Sequence, residues 1–317
     1  NLTLLAMSVS DHVNAVAQKH GEVTRLQFPQ FKDKIQSITN GVHSHTWMST
    51  AIRETLAKYQ DQIGDFEADP TLLSNVAKLK NDPAFRQDLW QAHLTNKKLL
   101  ADFLKWWYID DRTFTIAWAR RFAPYNRPTL LLQDINRLIE ISKKIGPLQI
   151  IIAGKAHPAD VPASIHMDQM MAKIQMLNGE RKNIRICFLE NYDTYFAKRL
   201  ISSVDVWLNN PLPPFEASGT SGMKAILNGV LQLSTLDGWV VEAADKNIGR
   251  IFGYVPPPGQ IGSEADLKLE EDSQALYKGL EEMVGLYYAT FSGKTALENS
   301  EWLEMMINCL AAGGFFN

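Results

Sequence analysis

Val204-Asp205-Val206-Trp207-Leu208, then Phe215-Glu216-Ala217-Ser218-Gly219-Thr220-Ser221-Gly222-Met223-Lys224-Ala225-Ile226-Leu227, then Val230-Leu231-Gln232-Leu233, read as strand, small-residue turn, helix and strand in that order. The turn is rich in backbone N–H groups, and unpaired N–H groups at a helix start attract phosphate, because the donors and the helix dipole both favour an anion. Lys224 stands where the turn meets the apolar segment Ala225-Ile226-Leu227. An amine held among apolar neighbours loses proton affinity and becomes usable by an aldehyde cofactor. A phosphate cradle beside an activated amine is what pyridoxal phosphate requires. A plain helix cap with a solvated lysine is the other reading of the same residues. A nucleotide P-loop is excluded, since Met223 separates Gly222 from Lys224 where that loop needs Gly-Lys.

Working outward, the same texture repeats. Thr113–Trp118, Leu148–Ala153 and Ile184–Phe188 read as further buried strands. Helical patterns over Pro128–Lys144, Met167–Leu177, Tyr192–Ile201 and Gly222–Leu227 lie between strands. Strand-helix alternation predicts an α/β fold, a doubly wound parallel sheet whose ligands collect at the C-terminal ends of its strands. Upstream, the first sixty or so residues read as helix, loop and helix, with Asp11, His12, Asn14 and His20 aligned on a helix over Leu2–His20. A charge-mixed helix is expected over Thr71–Lys105, started by Pro70. The chain begins at Asn1 inside a helical pattern and ends at Phe315-Phe316-Asn317 with no closing helix expected, so it reads as part of a longer polypeptide.

Bulk properties narrow the class. With 317 residues, 45% hydrophobic and 21% charged, the chain can bury a large core. A net charge of −3 gives no reason to expect nucleic acid. No apolar run approaches membrane-spanning length, and two cysteines, Cys187 and Cys309, argue against a disulfide framework and for a reducing, cytoplasmic setting.

Polar residues gather where the strands end. Thr113–Trp118 runs into Arg120, Arg121, Tyr125 and Arg127, whose guanidinium groups suit phosphate. Leu148–Ala153 ends in Gly154-Lys155-Ala156-His157-Pro158, Ile184–Phe188 in Leu189-Glu190-Asn191-Tyr192, and Val204–Leu208 in Asn209-Asn210-Pro211. Metal binding is poorly supported, since His43 and His45 have no cysteine or carboxylate at ligand spacing. His93 and His166 read as surface or helix-packing residues, and Trp106-Trp107 as core or a domain contact. No Gly-x-Ser-x-Gly elbow follows a strand.

These residues resemble the glycogen/α-glucan phosphorylase family, in particular its shorter bacterial and archaeal branch. The segments that carry the likeness are Thr39-Asn40-Gly41-Val42-His43 with Trp47, Ala119–Ala123, Ala153–Pro158, Phe188–Tyr192, Val204–Asn209, Glu216–Lys224, Asn228–Leu231 and Leu236-Asp237-Gly238-Trp239. The resemblance implies the two-Rossmann-domain, GT-B glycosyltransferase architecture. Residues 1–63 are then the trailing part of an N-terminal domain, and residues 64–317 most of the C-terminal one. It implies transfer of glucosyl units from the non-reducing end of an α-1,4-glucan to phosphate, giving α-glucose 1-phosphate, and is compatible with a homo-oligomer. Pyridoxal 5′-phosphate is expected to be covalent at Lys224. Gly219, Thr220, Ser221, Gly222, Arg120 and Tyr192 are expected around it. Glu216, Ser218, Gly219 and Tyr125 are expected at the sugar, and Arg121 at the substrate phosphate. The family commonly has Tyr-Lys-Arg where this chain has Tyr125-Asn126-Arg127, so Asn126 removes one cation beside two phosphates. The loop Pro211–Pro214 also lacks an arginine found in the short branch. A weakened phosphorylase is therefore expected. The alternatives are a non-catalytic glucan-binding or regulatory relative and a nucleotide-sugar glycosyltransferase, which has no need of Lys224.

Overall fold

The computed structural model describes residues 2–155, 161–179, 183–190, 192–257, 259, 269–290 and 297–317. Ala156, His157, Pro158 and Asn191, named above at the strand ends, lie outside them, as does the side chain of His166.

After α1 (Leu2–Val9) comes a small parallel unit, β1 (Val13–Ala15), α2 (Gln18–Gln27) and β2 (Ile35–Ser37), with Val13 opposite Ile35. The helix expected over Leu2–His20 is therefore broken. Asn14 lies in a strand and His20 in the next helix, so Asp11, His12, Asn14 and His20 share no helix face. The cause is Val13-Asn14-Ala15, a short strand pattern that buries Ala15 against its partner. Then follow α3 (Ser44–Trp47), α4 (Thr50–Ala57) and α5 (Gln60–Ile63). Thr71–Lys105 is not one helix either. A 3₁₀ stretch over Pro70–Leu79 stops before α6 (Pro83–Phe103), where Asp82 accepts from the N–H groups of Ala84 and Phe85. Pro83 sits in the first turn, where its missing N–H has no partner to lose.

The main body continues with β3 (Phe114–Ala119), α7 (Ile135–Lys144), β4 (Leu148–Ala153), α8 (Val161–Gly179), β5 (Ile184–Leu189), α9 (Thr194–Ser203), β6 (Val206–Asn209), α10 (Thr220–Ile226) and β7 (Leu231–Thr235). A 3₁₀ stretch over Gly238–Lys246 leads to β8 (Gly249–Phe252), and α11 (Leu269–Thr290) and α12 (Glu301–Gly313) follow. Strands β3 to β8 form one parallel sheet in the order β5-β4-β3-β6-β7-β8. Five of the strands match the expected apolar runs. β8 was not foreseen, because an edge strand with Gly249, Arg250 and Ile251 part-exposed leaves no apolar run to read. α12 corrects the expectation that no helix closes the sequence: its apolar face is buried, and Phe316 beyond it meets Trp239 edge-on at 4.8 Å.

Alternate residues of each strand serve two cores, as the pleat requires. Phe114, Ile116 and Trp118 point to the face covered by α7, α8, α11 and α12, and Ala117 and Ala119 to the face covered by α9 and the end of α6. Val42, Ile52, Leu56 and Ile63 belong to the first core. His93 is fully buried, so only the helix-packing half of its reading holds. Trp107 packs half-buried on the second core, whereas Trp106 is 61% exposed and belongs to no core.

From β3 the chain winds outward through β4 and β5, and from β6 it winds the other way through β7 and β8. The reversal lies between β3 and β6. In such sheets the crevice for ligands opens beyond the strand ends at that point.

Candidate functional site

The ends of β3 and β6 are joined side chain to side chain. The Trp118 indole N–H donates to Asn210 Oδ1 at 2.6 Å, and the Arg120 guanidinium bonds Asn209 Oδ1. Loops leaving β3 and β4 run together: Arg120 N–H donates to Ala153 O at 3.1 Å and Phe122 N–H to Lys155 O at 3.2 Å. A Cβ on Gly154 would stand 2.1 Å from Arg120 O, so only glycine permits this approach.

Arg127 is not a phosphate ligand here. It is buried, its guanidinium pairs with Asp272 and donates to the carbonyls of Asn210 and Pro211, and its own carbonyl accepts from Asn210 Nδ2. Three fixed partners make it a staple between the β3 and β6 loops, which corrects its place among the phosphate-binding arginines. Asn126 is also buried. Its Nδ2 donates to Arg121 O at 2.9 Å, and its Oδ1 has no partner among the described residues. Arg121 is exposed on the same loop, and Tyr125 is half-buried, its carbonyl accepting from Leu212 N–H at 2.7 Å.

Arg120 pairs with Glu216, so the cation expected at a phosphate and the carboxylate expected at a sugar face each other. Burial lowers the Arg120 pKa to about 10. Beyond Glu216, Ser218 is buried with its hydroxyl unpartnered among the described residues, and Gly219 turns left-handed at φ 86° to start α10 with no side chain capping it. Ser221 accepts from the Trp207 indole at 3.2 Å. A Cβ on Gly222 would lie 2.7 Å from Gln232 Oε1 and 2.8 Å from the Trp239 ring, so close packing accounts for that glycine.

Lys224 is half-buried, its amine 4.0 Å from the centre of the Trp47 ring. Burial lowers its pKa, and among the described residues no carboxylate pairs with it. An amine in this setting releases its proton more readily than a solvated lysine. Asn228 fixes the arrangement: its Nδ2 donates to the carbonyls of Trp47 and Lys224, and its Oδ1 accepts from Ser49 N–H at 2.7 Å. Tyr192 is half-buried against the core that holds Ala225, and burial pushes its hydroxyl pKa up.

The structure thus brings Arg120, Glu216, Ser218 and Gly219 together at the reversal, with Lys224 on the helix that follows. The roles of Trp47, Asn209, Asn228 and Asp237 were missed. Each lies in a quoted motif, but its partner is far along the chain, and no local spacing reveals it. The histidine pair His43 and His45 has ring centres 5.7 Å apart. Among the described residues no group of three or more His, Cys, Asp or Glu could hold a metal. Both cysteines are buried and free. No helix among the described residues is long and apolar enough to cross a membrane.

Comparison with known proteins gives one consistent result. The family described as carbohydrate phosphorylase matches residues 1–260. The chain is 34% identical to the glycogen phosphorylase of Aquifex aeolicus over 96% of its own length and 46% of that protein's. It is 35% identical to the maltodextrin phosphorylase of Thermococcus litoralis over 96% of its own length and 37% of the relative's. Against the glycogen phosphorylase of Mycobacterium tuberculosis the identity is 33%, over 78% of the chain and 31% of the relative. The chain therefore spans about half, or less, of the curated relatives it matches.

Proposed function

Because the chain belongs to the carbohydrate phosphorylase family, we propose that it carries the cofactor and sugar sites of an α-1,4-glucan phosphorylase. The reaction passes glucosyl units from the non-reducing end of glycogen, starch or maltodextrin to phosphate and yields α-glucose 1-phosphate. The observation that carries this reading is the half-buried Lys224 amine, resting on Trp47 without a carboxylate partner among the described residues, just past the Arg120–Glu216 pair. An uncapped α10 and the unpartnered Ser218 hydroxyl fit a bound polar ligand there. Lys224 would hold pyridoxal 5′-phosphate, whose phosphate supplies proton transfer to and from the reacting phosphate. Gly219, Thr220, Ser221 and Gly222 would present backbone N–H groups to it, with Arg120 beside them and Tyr192 nearby. Arg121 would meet the substrate phosphate, and Glu216, Ser218, Gly219 and Tyr125 the sugar. Arg120 is engaged by Glu216 and Asn209, so it would serve a phosphate while keeping Glu216 in place.

The same proposal places residues 1–63 in an N-terminal domain and 64–317 in the C-terminal one, in a cytoplasmic protein able to form homo-oligomers. It also expects no phosphorolysis from this chain alone, since the relatives' further length would supply the facing side of the cleft. Family membership does not favour the glucan-binding or nucleotide-sugar readings. The test is to load the full-length protein with pyridoxal phosphate, reduce it with borohydride and map the modified peptide. Label on Lys224, its loss in Lys224→Ala, and glucose 1-phosphate released from maltodextrin and phosphate are expected. Label on another lysine, or none, would reject the reading.

A further inference from the structure

We propose that Asp237 is a positioning residue for the sugar-binding carboxylate, holding Glu216 in register through the backbone while touching no substrate itself. The inference rests on the reading of Glu216 given above. Asp237 follows β7 and is fully buried. Its Oδ2 accepts from Glu216 N–H and its Oδ1 from Gly238 N–H, both at 2.9 Å. Two residues on, Trp239 N–H donates to Ser218 O at 3.0 Å. The turn Asp237-Gly238-Trp239 thus grips the Glu216–Ser218 loop at both ends.

Contact is close enough to dictate the residue between. Gly238 has φ +57°, and a Cβ there would lie 2.3 Å from Ser218 O and 2.9 Å from Glu216 Cγ. From the opposite side Arg120 pairs with the Glu216 carboxylate. Glu216 is therefore clamped, its backbone by the turn after β7 and its side chain by the loop after β3. Burial pushes the Asp237 pKa up to about 7, against the pull of Gly238 N–H, Lys19 and Arg120. A buried carboxyl that spends both oxygens on the N–H groups of Glu216 and Gly238 has the placement of that loop as its visible task. The cofactor lysine is held separately, by Trp47 and Asn228, so loss of Asp237 should spare it.

Asp237→Asn keeps the shape but can satisfy only one of the two N–H donors; its amide NH₂ then faces the other. The experiment measures glucose 1-phosphate kinetics and cofactor content in full-length wild type, Asp237→Asn, Glu216→Gln and the double variant. Asp237→Asn should bind a full complement of cofactor, raise KM for glucose 1-phosphate at least about tenfold and change kcat much less, the pattern of lost sugar binding. The double variant should be no worse than the poorer single one, because both changes act through one carboxylate. An unchanged KM in Asp237→Asn, a loss of cofactor in proportion to activity, or multiplying effects in the double variant would each overturn the proposal while Glu216→Gln still raises KM. An unchanged KM in Glu216→Gln would sink the reading of Glu216, and the proposal with it. If Asp237→Asn does not fold, Asp237→Ser, which keeps an acceptor for Gly238 N–H alone, is judged by the same criteria.

Discussion

At the scale of single residues, Asn126 is where sequence and structure differ most in emphasis. On the proposed function, a lysine at that position would supply charge to the reacting phosphate, and the likeness to the family makes its absence conspicuous. The structure adds that Asn126 is 2% exposed and tied to Arg121 O, inside the loop rather than facing the cleft. Its role in this chain is to shape the loop that presents Arg121. Replacing it with lysine would bring an ammonium that must leave the buried position and give up the Arg121 bond. Asn126→Lys in the full-length protein is therefore expected to lower stability by about 1–3 kcal/mol, the cost of one lost buried hydrogen bond with its desolvated partner. It is also expected to raise kcat/KM for phosphate by about a hundredfold, since one preorganised donor in such a site contributes on the order of a hundredfold to a thousandfold. Thermal unfolding beside phosphorolysis kinetics checks both. Wild-type kinetics in the lysine variant would show that the missing cation does not limit the proposed reaction.

Among the elements, the reversal between β3 and β6 is set from beneath by a buried ionic cluster. Asp205, just before β6, accepts from Lys97 Nζ at 2.6 Å and Thr115 N–H at 2.7 Å, and lies 2.7 Å from His93 Nε2. Lys97 also donates to Tyr287 Oη and Thr113 O, so α6, β3, β6 and α11 meet at one buried ion pair. Burial lowers the Lys97 pKa while Asp205 works to keep it charged. Asp205→Asn strands that amine without a counter-charge and is expected to cost about 3–5 kcal/mol in urea unfolding, as when one member of a buried pair is removed. A cost below about 1 kcal/mol would show that Lys97 simply gives up its proton. This cluster also marks the limit of sequence reading. Strands β3 to β7 were legible because buried parallel strands are short apolar runs, and the Gly219–Gly222 turn because its composition is unusual. His93, Lys97 and Asp205 were not, since polar residues on separate elements give no sign of burial until the fold joins them. The site divides the same way: Lys224 and Glu216 were legible from their motif, Asp237 and Asn228 only from their contacts.

On the scale of the whole molecule, the question is how the small β1–α2–β2 unit is tied to the six-stranded sheet. Glu242 provides one tie: it accepts from Gln18 N–H at 3.0 Å and from Thr39 Oγ1 at 2.8 Å. The other tie is at the end of the chain, where Val42 N–H donates to Phe316 O and Gly41 approaches so closely that a Cβ would lie 2.5 Å from the Asn317 carbonyl carbon. Glu242 sits on the 3₁₀ stretch that begins at Gly238, directly after the turn holding the Glu216 loop. One short segment thus contacts both the Glu216–Ser218 loop and the small sheet. Removing the Glu242 carboxylate should loosen the small sheet first, because that unit has only two strands of its own and little core. Glu242→Ala is expected to lower the protection of backbone amides in Val13–Ser37 against hydrogen exchange by about 1.5–3 kcal/mol, the range for hydrogen bonds to a charged group. Protection in β3, β4 and β6 should not change. Equal loss in both sheets would mean that they unfold as one cooperative body, and no loss in either would mean that the Glu242 hydrogen bonds do not hold the small unit.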